Sequence, residues 1–105
     1  MILTTTNSIE GKTITHYLGI VSDISYTATF SGAGMSLKDM FSSKKYYAAY
    51  EKSILEAKEA VFQKIRTHAE NLKANAIVGI KVDVEAISGS MTSMISVVGT
   101  AVVVV

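Results

Sequence analysis

Between residues 46 and 73 apolar side chains return every three or four positions: Tyr47, Tyr50, Ile54, Ala57, Val61, Ile65, Ala69 and Leu72. That spacing lays one stripe along an α-helix, and no Pro or Gly interrupts it. At 1.5 Å per residue such a helix is about 40 Å long, more than the width of a compact domain of this size. The chain has 105 residues, which makes it a single domain, residues 1–105, whose remaining elements must pack against this one rod.

Those elements read as strands. Residues 2–5 form a short one, followed by the polar Asn7, Ser8, Glu10, Gly11 and Lys12, a turn that would close a hairpin. Residues 13–26 alternate, with Ile14, Leu18, Ile20 and Ile24 assigned to one face and Thr13, Thr15, Tyr17, Asp23 and Ser25 to the other; Gly19 marks a bulge. Residues 30–45 break the pattern and read as an irregular excursion in which Met35, Leu37, Met40 and Phe41 could line a short helix. After the long helix, Ala76, Val78, Ile80, Val82, Val84 and Ala86 alternate with Asn75, Ile77, Gly79, Lys81, Asp83 and Glu85, one dry face against one charged at its far end. A turn at Ser88, Gly89 and Ser90 leads to residues 94–105, apolar on both faces except at Ser96 and Thr100, a strand that wants cover on both sides. The order is ββαββ, and the last two strands pair as a hairpin.

Composition excludes several functions. Ten basic and nine acidic residues leave a net charge of +1, without the field of a nucleic-acid binder. No cysteine is present, so disulfides, thiolate metal sites and a cysteine nucleophile are out. The opening MILTTTNSIEGK is not a secretory signal, and the longest apolar run, AVVVV, is far too short to span a membrane. A cytoplasmic protein without nucleic-acid or membrane partners is expected.

Few side chains form a pattern that carries chemistry. Asp83 and Glu85, two apart on a strand, place both carboxylates on one face about 6.5–7 Å apart, able to flank a divalent cation. Lys81 shares that face, and a solvated charged face explains all three as well. His16 and His68 are the only imidazoles and no ligand spacing joins them. His16, in phase with Ile14 and Leu18, reads as a partly buried histidine, and His68 as a residue at the margin of the helix stripe. The GAG at 32–34 lacks the spacing of a phosphate loop and fits an ordinary turn. Tyr46, Tyr47 and Tyr50 crowd the helix start, where they would stack a planar ligand or anchor a subunit contact. No setting for a nucleophilic serine appears, so no enzymatic activity is expected.

Three segments, TTTNSIEGKTITHYLGIVS, YEKSILEAKEAVFQKIRTHAENLKANAIVGIKVDVE and SMISVVGTAVVV, together resemble the YbjQ-like family, small proteins of unassigned function that carry a heavy-metal-binding label. Residues 30–45 depart from the pattern. The resemblance implies an α+β, dodecin-subunit-like fold, an antiparallel sheet of about four strands curled around one long helix, assembled as a homopentameric ring. It brings no catalytic residues. Asp83 and Glu85 match the family's acidic pattern after VGI, and Glu10 and Glu51 fall in matching segments, which makes these four the candidate metal ligands. Soft metals prefer sulfur and imidazole, so the metal expected here is a hard divalent ion. The leading reading is a non-enzymatic homo-oligomer that binds divalent metal; the alternative is a dodecin-like binder of a planar or anionic ligand held between subunits by the tyrosines and nearby lysines.

Overall fold

The computed structural model describes residues 1–27, 43–89 and 92–105. It contains β1 (Ile2–Leu3), β2 (Ile14–Tyr26), α1 (Ser43–Asn71), β3 (Ala76–Ala86) and β4 (Ser93–Val104), the ββαββ order of an α+β domain. The excursion expected at residues 30–45 and the GAG turn lie outside the described residues, except that α1 already begins at Ser43.

The four strands form one sheet in the order β1-β3-β4-β2. β3 and β4 pair as the expected antiparallel hairpin, but β1 does not pair with β2. It runs parallel to β3, with Ile2 opposite Ala76 and Leu3 opposite Ile77, so the sheet is mixed rather than wholly antiparallel. The physical reason lies in the connection. β1 and β2 occupy opposite edges, and residues 4–13 must cross the sheet to join them. Ile9 and Ile14 use that crossing to pack on Ala76, Val78, Val102 and Val104, a cluster on the face away from the helix. A tight turn would have left those three valines and the alanine wet.

The main core lies on the other face. Ala57, Val61, Ile65 and Ala69 of α1 are buried against Val21, Ile77, Ile80, Ile95, Val97 and Ala101. β4 is covered on both faces over its second half, as its composition demands. The helix stripe outruns this cover: Tyr47 is 62% exposed and Leu72 42%. With a radius of gyration of 17.3 Å, against about 13 Å for a compact chain of this length, the chain is elongated.

Bulges decide which side chains reach which face. In β2 the register slips between Ile14 and His16 and again between Tyr17 and Gly19, so the face expected to carry Ile14, Leu18, Ile20 and Ile24 together is divided. Ile14 joins the crossing cluster, Leu18 packs toward the helix, and Ile20 and Ile24 stand on the open side of the sheet. His16 is exposed rather than partly buried, its Nδ1 hydrogen-bonded to Thr15 Oγ1 at 3.0 Å. In β3 the slip falls between Val78 and Lys81, where Gly79 takes φ +63. Opposite it, a Cβ on Gly99 would stand 2.7 Å from Ile77 Cγ2, so only glycine lets β4 pass this close.

α1 ends in a Schellman cap: the Ala74 amide donates to the Ala69 carbonyl and the Lys73 amide to the Glu70 carbonyl, both at 3.0 Å. Lys73 takes the left-handed φ of +67 that glycine usually supplies. Asn75 then anchors β4, accepting from the Val104 amide and donating to the Val104 carbonyl at 2.8 Å each.

Candidate functional site

The sheet face away from α1 is only half covered. Strand register places three rows across β3, β4 and β2 beyond the crossing loop: Lys81, Val98 and Ser22; Asp83, Ser96 and Ile24; Glu85, Met94 and Tyr26. Side chains in such rows are nearest neighbours. The first two rows floor a shallow groove of about 720 Å³. It presents one carboxylate, one ammonium and two serine hydroxyls, bordered by exposed Ile20, Ile24 and Val98.

Asp83 and Glu85 therefore do share a face, as their spacing requires, with Lys81 beside them on the same strand. Glu10 and Glu51 are not with them. Glu10 lies in the crossing loop, at the end of the sheet where β3 begins. Glu51 is exposed on α1, which lies on the opposite face. No group of three or more His, Cys, Asp or Glu side chains comes together among the described residues. The described residues thus do not bring together the full ligand set that a tightly bound zinc or copper requires.

A second constellation joins β2 to the helix. His68 Nε2 donates to Asp23 Oδ2 at 2.9 Å, the Ile24 amide donates to Asp23 Oδ1 at 2.8 Å, and Lys64 Nζ sits 4.0 Å from the same oxygen while donating to the Ile24 carbonyl at 2.8 Å. The His68 hydrogen bond, with the Ile24 amide and the Lys64 charge, holds the Asp23 carboxyl below its ordinary value near 3.8. The pair offers one imidazole and one carboxylate. Sequence reading missed it because the partners are 45 residues apart and neither stands in a motif. In the tyrosine cluster, Tyr50 is already engaged through its hydroxyl with Ser93, which ties the helix to the start of β4. That contact makes Tyr50 a packing residue.

A long helix on one face of a mixed four-stranded sheet, with a half-open outer face and scattered oxygen donors, defines a small α+β domain. The chain belongs to the family described as "putative heavy-metal-binding" (YbjQ), whose model matches residues 1–105. Among curated relatives it is similar to a UPF0145 protein of Bacillus cereus (strain ATCC 10987 / NRS 248), 38% identical over 97% of this chain and 98% of the relative. It is also similar to a UPF0145 protein of Corynebacterium jeikeium (strain K411), 36% identical over 97% of each. The same fold is seen in a crystal structure of a DUF74-family protein of unknown function from Pediococcus pentosaceus, with a TM-score of 0.61 at 22% identity, covering 100% of this chain and 98% of that one.

Proposed function

We propose that this chain is a non-enzymatic, homo-oligomeric cytoplasmic protein that binds hard divalent cations weakly where subunits meet. The observation that carries the reading is the open sheet face. There Ile20 is 76% exposed and Tyr17 73%, on the same sheet face as the rows that hold Asp83 and Glu85. Apolar side chains so exposed on a sheet are usual where another protein surface covers them. Two carboxylates fall short of the six to eight oxygen ligands that calcium takes, and a neighbouring copy presenting the same face supplies more. The pentamer is what the resemblance to the family implies.

Isothermal titration with manganese and calcium tests the cation part. Weak binding that is abolished by Asp83→Asn together with Glu85→Gln is expected. Tight zinc or copper binding that ignores both substitutions contradicts the reading and points instead to a site built on His68 and Asp23.

A further inference from the structure

α1 lies mainly over β2 and β4 and reaches β3 only slightly, so the helix-side face of β3 is left partly bare. Beyond the two residues paired with β1, Val82 and Val84 remain 40% and 41% exposed. Between this margin and the helix runs a cleft of about 290 Å³. Leu3, Phe62, Ile80 and Val82 give it apolar walls, and Arg66 and Glu59 stand on its helix side. Glu59, Phe62 and Arg66 fall three and four residues apart, which sets them on one edge of α1.

Arg66 is the unusual member. Its Nε is buried and has no hydrogen-bond partner among the described residues. A buried donor left unpaired is costly, and guanidinium groups ordinarily satisfy this edge with a planar acceptor, above all a carboxylate. Glu59 does not fill that role: no ion pair joins it to Arg66, and its Oε1 accepts from Gln63 Nε2 at 3.1 Å.

We infer that this cleft is a binding site for a small monocarboxylate with a short hydrocarbon tail, the carboxylate taken by Arg66 and the tail by Leu3, Phe62, Ile80 and Val82. The volume lies at the bottom of the roughly 300–1,000 Å³ that small-molecule sites occupy, which favours a free short-chain acid over a peptide. The carboxylate of Glu59 at the rim repels a second negative charge and selects against dicarboxylates and phosphates. The site lies on the helix side of the sheet and is independent of the cation reading above.

The test uses the full-length protein, ¹⁵N-labelled, with hexanoate as probe and hexan-1-ol and hexylamine as controls. Hexanoate should move the Arg66 Nε–H resonance in a saturable manner, and the controls should not. Calorimetry should show hexanoate binding weakened roughly tenfold or more by Arg66→Gln, the loss of one charge-assisted hydrogen bond. The wild-type resonance keeps the test decisive even where that variant fails to fold. Hexanol binding as well as hexanoate overturns the inference. So does an Arg66 resonance unmoved at saturating hexanoate, the result also expected if a neighbouring copy already supplies the carboxylate.

Discussion

At the scale of single residues, the most informative side chain is Asp23, which the sequence presents only as a polar position in an alternating strand. Its contact with His68 became visible only once α1 was laid along β2, since nothing in a linear chain marks partners 45 positions apart. Asp83 and Glu85 are the opposite case: a spacing of two within a strand fixes their shared face before any tertiary contact forms. A carboxyl held below its ordinary value in the folded state adds stability above its unfolded value, and that contribution is lost as pH falls through the lowered folded value. Asp23→Asn should therefore lower the melting temperature near neutral pH, with the deficit closing once the pH drops below the ordinary carboxyl value near 3.8. Thermal melts of both proteins across that range check this. A deficit that persists unchanged into strong acid would mean that packing, not the charge pair, ties β2 to the helix.

At the scale of elements, periodicity sufficed for the long helix and the three long strands, because each is amphipathic with its own period. Pairing was less legible. The segment around Asn7 to Lys12 looks like a turn by composition, yet it is a crossing whose one large apolar residue, Ile9, finds a cluster to cover. Local composition reports that the chain bends, and only the position of β4 between β3 and β2 decides how far it must travel. Bulges likewise escape an alternating pattern: the two slips in β2 turn Leu18, at the second of them, toward the helix while Ile14, Ile20 and Ile24 keep the outer face. The end of α1 gives a sharp test. Lys73 holds a left-handed conformation that costs an L-residue about 1–2 kcal/mol, and glycine, despite its freer unfolded chain, suits the position better. Lys73→Gly should raise stability by about 0.5–1 kcal/mol in urea titrations. A loss of stability would show that the lysine side chain contributes more than its backbone costs.

At the scale of the molecule, the features that leave part of the surface uncovered also indicate where copies would meet in the proposed oligomer. The helix stripe extends past its cover, β2 is a long edge strand, and the outer sheet face carries exposed Tyr17, Ile20, Ile24, Tyr26 and Val98. An uncovered edge and an apolar face together invite pairing with another chain. Val102 and Val104, on the strand whose composition asks for cover on both faces, are not free for this: both are buried beneath Ile9 and Ile14 of the same chain. Ile20 and Val98 are the proper probes, since lysine at both would charge the open face without entering either core cluster. The direct measurement is sedimentation equilibrium of the wild-type protein at micromolar concentration, alongside the Ile20→Lys, Val98→Lys double variant. A closed oligomer, a pentamer of the 11.2 kDa subunit, that the double variant dissociates is the predicted result. A well-folded wild-type monomer would contradict the account.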